Sequence, residues 1–127
     1  MEFTNIKLEP VRSASILTNA YVAGTVIENA EKYNVMSLLI DFTKGSLTDC
    51  QIKVEGSMDG TNYYQLLSDS ISAGVNSVAG LVYKLTDNTA GSTTPLTINV
   101  KKIKISAIGT GTVTGSSLAI SAIMGRI

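Results

Sequence analysis

Cys50-Gln-Ile-Lys-Val-Glu-Gly-Ser-Met-Asp-Gly-Thr-Asn-Tyr-Tyr-Gln-Leu67 reads as a strand, a tight turn and a returning strand. Cys50, Ile52 and Val54 alternate with Gln51, Lys53 and Glu55, the period of two that gives a strand one dry face and one wet face. Met58-Asp-Gly-Thr-Asn62 then supplies turn chemistry. Asp hydrogen-bonds its own backbone, Gly takes positive φ, and Asn tolerates it. Tyr63 and Tyr64 open a returning strand with rings that suit a pleated surface. The predicted unit is a β-hairpin, and the rest of the chain reads as strands added around it.

Upstream, Val35–Thr43 is the strongest core strand. Met36, Leu38, Ile40 and Phe42 line one face, and Val35 and Leu39 leave the other only partly polar, which places the strand centrally between layers. Ser15–Val22 reads as a weak strand, and residues 28–32 as a loop with at most one helical turn. Residues 1–12 read as an extended arm or an edge strand, because Pro10 has no N–H to give to a ladder. Downstream, the Ser-rich residues 68–77 read as a loop, Val78–Thr86 as a strand, and residues 87–95 as an exposed, mobile loop. Leu96–Ile108 reads as one long strand whose apolar face changes parity, from Leu96, Ile98 and Val100 to Ile103, Ile105 and Ala107. That phase change predicts a β-bulge at Lys101-Lys102. Leu118, Ile120 and Ala122 carry a last strand after the glycine-spaced residues 109–117. Seven or eight short strands with turns between them, and no convincing helix, make an all-β chain. The expected architecture is a single-domain antiparallel β-sandwich, jelly-roll-like, over residues 13–127.

Composition narrows the function. The chain has 127 residues, 44% hydrophobic and 16% charged, enough apolar material to offset chain entropy in one domain. Ten basic and ten acidic residues give zero formal charge, so nucleic acid is not an expected partner. No apolar run reaches the length of a membrane span, and the first residues lack the pattern of a secretion signal. Synthesis in a cytoplasm is therefore expected. The lone Cys50 falls on the apolar side of its strand and reads as a small buried hydrophobe.

The sequence contains no His, which removes the commonest general base and metal ligand. Asp41, Asp49, Glu55, Asp59, Asp69 and Asp87 fall on wet faces or loops, without the apolar setting that tunes a carboxyl into an acid. Gly109-Thr110-Gly111 with Gly115 lacks the following helix that a phosphate-cradling loop needs. Asp59, Asn62, Asp87 and Asn88 could offer oxygens to calcium, but turn chemistry accounts for all four. The expectation is a non-enzyme with no cofactor and no metal. Tyr63 and Tyr64, with Tyr21, could stack on sugar rings or pack between sheets. Lys101, Lys102 and Lys104 form a basic strand face that could meet an acidic neighbour. Tyr63, Tyr64, Lys101, Lys102 and Lys104 are thus the candidate interaction surface.

Val54-Glu-Gly-Ser-Met-Asp-Gly-Thr-Asn-Tyr-Tyr64 resembles the strand, Ser-x-Asp-Gly, aromatic hairpin of many small virion proteins of tailed bacteriophages. Leu39-Ile-Asp-Phe-Thr-Lys-Gly45 matches the upstream strand and turn of that group. Lys102-Ile-Lys-Ile-Ser-Ala-Ile-Gly-Thr-Gly-Thr112 and Gly115-Ser-Ser-Leu-Ala-Ile120 match its closing strands. The resemblance covers roughly residues 20–126 and its motifs are turn chemistry. It implies a virion structural protein, foremost a capsid decoration (cement) protein or an accessory head or tail protein. Major capsid protein or other virion proteins, and further copies in a homotrimer, would be its partners. Carbohydrate-binding β-sandwiches of the discoidin type carry a similar hairpin, usually with Trp where this chain has Tyr63 or Tyr64. That similarity implies, as the alternative, a glycan-binding or host-adhesion module.

Overall fold

The computed structural model describes residues 4–127, the side chains of residues 69–71 aside. Residues 1–3 of the expected arm lie outside the described residues. Around residues 50–67 the chain forms β4 (Leu47–Ser57), a turn, and the short return strand β5 (Tyr64–Gln65), with Glu55 opposite Gln65 and Gly56 opposite Tyr64. Cys50, Ile52 and Val54 are fully buried, while Gln51, Lys53 and Glu55 are half-buried on the other face.

Two five-stranded antiparallel sheets pack against each other. The first holds β1 (Thr4–Ser15), β12 (Ser117–Arg126) and β3 (Val35–Thr43) in that order. β9 (Thr89–Ser92) and β10 (Leu96–Thr97) share the far side of β3. The second holds β2 (Val22–Ala23), β11 (Lys102–Gly111) and β4, with β5 and β8 (Val82–Leu85) sharing the far side of β4. The chain alternates between sheets at β1/β2, β2/β3, β3/β4 and β8/β9, and again on both sides of β11. Counting β9 with β10, and β5 with β8, this is the eight-strand, double Greek-key path of a jelly roll. Two shared edges, and two further strands that form a separate hairpin, reconcile the twelve strands found among the described residues with the eight positions of the sandwich.

The core between the sheets follows from strand parity. β3 contributes Met36, Leu38, Ile40 and Phe42, and β12 contributes Leu118, Ile120, Ala122 and Met124; β4 and β11 answer with Ile52, Val54, Ile103 and Ile105. Burying a Leu- or Ile-sized side chain is worth about 1.5–3 kcal/mol, and these strands supply the largest such set. Two loops close the ends of the sandwich with Leu17 and Ile27, both essentially buried. A one-turn 3-10 segment, Ala30–Lys32, falls inside the stretch read as a possible helical turn.

Six sequence expectations differ from the structure. Residues 16–21 are a loop, with β1 ending at Ser15 and β2 reduced to two residues; the apolar residues there include Leu17, which caps the core from a loop. β3 is dry on one face only, since Leu39 is 42% exposed. No bulge interrupts β11 at Lys101-Lys102. The pairing of β11 with β4 runs unbroken from Lys102 opposite Ser57 to Thr110 opposite Asp49. Parity changes because Leu96–Thr97 belongs to the first sheet and Lys102–Gly111 to the second, and buried Ile98 and Val100 make the crossing between them. Residues 68–77 are mostly a hairpin, β6 (Leu67–Ser72) with β7 (Val75–Gly80), forming a separate two-stranded sheet. The expected strand 78–86 is correspondingly cut at Leu81 between β7 and β8. Within residues 87–95, Thr89–Ser92 is largely exposed, with Thr89 half-buried, but paired with β3 as an edge strand.

Candidate interaction surfaces

The turn after β4 is organised by Asp59. Its Oδ1 accepts from the amides of Thr61 and Asn62, both at 2.8 Å, and from the Ser57 hydroxyl at 3.0 Å. Its Oδ2 accepts from the Asn62 side-chain amide at 2.7 Å. Four donors stabilise the charged form, so the carboxyl is held well below the usual carboxylate range. Gly60 follows at φ 81 and donates its amide to the Ser57 hydroxyl at 2.8 Å. Asp59 and Asn62 are therefore spent on the turn. Asp87 accepts from the Asn88 amide, and the Asn88 side chain accepts from the Lys44 amide. The four oxygen-bearing residues weighed for calcium act as two separate turn anchors.

The turn aims Tyr63 and Tyr64 in opposite directions. Tyr63 lies on the outer face of the second sheet, its ring centroid 4.3 Å from Lys104 Nζ, a cation–π distance. Beside them Lys102 Nζ pairs with Glu28 at 3.0 Å, an exposed contact that raises the lysine's pKa. Across the strands Glu55 stands opposite Lys104, and Lys53 lies 3.8 Å from Glu55 and 4.3 Å from the Tyr21 ring. So Tyr63, Lys102 and Lys104 come together on one face, where two lysine–tyrosine pairs flank a glutamate. This face is internally matched in charge, not simply basic. Lys101 precedes it and is exposed.

Tyr64 stands apart from that face. It is 74% exposed and rims a groove of about 330 Å³ with Gly56, Met58, Leu66, Leu67 and Val100. The two tyrosines thus form no common platform. Asp49 departs from its wet-face reading as well: it is 7% exposed, with Oδ2 3.8 Å from Lys84 Nζ and Oδ1 without a partner. The side chain of Asp69 lies outside what is described.

Two surfaces went unnoticed in the sequence. The outer face of the first sheet is mostly small and apolar: Ser37, Leu39, Ala119, Ser121 and Ile123 share outward parity along β3 and β12, with exposed Asp41 opposite Ala119 as a charge among them. Exposed Ile6 and Leu8 of β1 continue it. Period-two alternation signalled the dry faces of these strands, and the outward small residues were the remainder. The second surface is the β6–β7 hairpin, where Leu67, Val75 and Val78 are all exposed.

No protein-family model and no curated protein matches the chain. Among solved structures, the crystal structure of the SPBc2 prophage-derived protein YomS is similar at a TM-score of 0.59. Identity is 13%, and the match covers 95% of this chain and 93% of that one. A chain in the structure of the infectious bursal disease virus Gt strain aligns over 97% of this chain and 40% of its own length, at 10% identity. Its TM-score of 0.30 is too low to compare folds. What the chain shares with the prophage-derived protein, over nearly the whole of both, is the fold.

Proposed function

We propose that this chain is a non-enzymatic structural component of a bacteriophage particle, of the capsid decoration (cement) or accessory head type. The observation that carries the reading is the full-length likeness in fold to a prophage-derived protein. The phage-type hairpin and closing strands noted in the sequence point the same way. In this reading the partners are the major capsid protein or other virion proteins, together with further copies of the chain in a homotrimer. Nucleic acid and membrane take no part, no cofactor is used, and the working location is the virion after synthesis in the host bacterial cytoplasm. A jelly roll suits such a role because closed sandwich layers leave outer faces free for neighbours. The test is to purify particles from the strain that carries the gene and quantify the chain by mass spectrometry. Copies in fixed ratio to major capsid protein support the reading; particles devoid of the chain overturn it.

One observation favours a second reading, a glycan-binding or host-adhesion module. Tyr64 presents an exposed ring at the rim of a groove, the arrangement on which a sugar face stacks. Titration against a glycan panel decides this: binding lost in Tyr64→Ala supports it, and no binding at millimolar glycan removes it.

A further inference from the structure

Most strand edges of this molecule are blunted. β1 carries Lys7, Glu9, Pro10 and Arg12, β8 carries Lys84, and Pro95 stands between β9 and β10. β2 and β5 are two residues each. Charge, proline and brevity are the ordinary protections against edge-to-edge association. The β6–β7 hairpin is different: its strands are six residues each, and Asp69 of β6 is their one charge. β7, Val75-Asn-Ser-Val-Ala-Gly80, has neither charge nor proline. All six of its residues pair with β6, and among the described residues no strand lies along the outer edge of either. Ala73 at φ 52 and Gly74 at φ 77 make the two-residue turn whose twist matches the strands, so the ribbon is regular to its tip. Leu67 and Val78, 63% and 59% exposed, nonetheless leave it uncovered. A lone two-stranded ribbon is marginal in water.

We propose that this hairpin is the element through which copies of the chain associate. In a trimer, β7 of each copy pairs antiparallel with β6 of the next, and the three hairpins close into a ring of six strands. The partner is another copy because the two free edges are mutually compatible. Both strands are six residues long and opposite in direction, so rotation about an axis along the hairpin keeps the up-down alternation at every seam. Each seam holds one charged residue, Asp69 of β6, and β7 brings none, so no like charges stand opposite each other across it. A twofold pairing of β7 with β7 would leave both β6 edges bare, whereas a ring leaves none. The fourteen hairpin residues, with exposed Met58, Tyr64 and Val82 near their base, approach the roughly 20 residues a side of a standard interface.

The inference rests on the particle reading for its trimer, and its test separates the two. Light scattering after gel filtration of the full chain should give three times 13.4 kDa. The double variant Val75→Lys, Val78→Lys should give a single chain with an unchanged β-sheet circular dichroism spectrum. Any wild-type mass other than three chains overturns the ring, as does a trimer that survives both lysines. Should the double variant misfold, hydrogen exchange of the amides of residues 75–80 in the wild type decides. Protection at high concentration that is lost on dilution supports the ring, and equal, fast exchange at both overturns it. A monomer found on particles would sink the ring alone; a trimer absent from particles would sink the particle reading alone.

Discussion

Gly45 holds φ 58, and a Cβ built there would lie 2.4 Å from the carbonyl carbon of Gly115. Two tight turns meet at this point, and the Ser46 amide donates to the Thr114 carbonyl at 3.0 Å. Gly45→Ala combines a left-handed conformation, costing about 1 kcal/mol, with backbone overlap. It should lower unfolding free energy by at least about 2 kcal/mol in a denaturant titration. Asp59 gives a pH prediction. Folding holds its carboxyl ionised below its ordinary value of 3.8, so the unfolded chain takes up the proton first. Its stabilisation is complete above that value and is lost as pH falls toward the depressed folded value. Thermal melts of wild type and Asp59→Ala should therefore differ at pH 7 and converge as pH drops below about 4; a gap independent of pH contradicts the assignment. Cys50 is fully buried, and burial pushes its thiol up to about 11. A thiol reagent at pH 8 should label it only after unfolding. The buried cysteine and the Asp59 turn were both legible in the sequence, because strand parity and turn chemistry are local. The burial of Asp49 was not, since parity reports which way a side chain points and not what covers it.

β3 offers the sharpest contrast between neighbouring residues of one element. Ile40 faces the core and Leu39 faces out, 42% exposed. Ile40→Ala should cost about 2–5 kcal/mol, and Leu39→Ala no more than about 0.5 kcal/mol, both read from denaturant midpoints at constant slope. Equal losses would mean that a further layer covers the sheet. The hairpin of β4 and β5 was readable because its turn residues each have a conformational reason to be there. The Leu96–Ile108 stretch was misread because a parity change has two causes, a bulge within one strand or a passage between sheets. Sequence separation alone does not tell them apart. Residues 68–77 were misread because serine is a poor strand marker and Ala73 carries no side-chain signal for its positive φ.

At the scale of the molecule, the two sheets bury one face each and present unlike outer faces. One has lysines matched to tyrosines and carboxylates, and the other is small and apolar around Leu39 and Ile123. Fold class was legible because many short alternating segments with no helix admit only a sandwich or a barrel. Which strands lie side by side depends on long-range pairing, such as Ile105 with Val54, that no local pattern encodes. Both outer faces depend on that pairing, and above all on the passage of the chain between sheets at residues 98–101. The direct measurement is a set of interstrand nuclear Overhauser contacts in the labelled protein. The jelly roll requires Leu96 beside Met36 and, nine residues later, Ile105 beside Val54. Contacts placing Leu96 and Ile105 along one and the same neighbouring strand would contradict it.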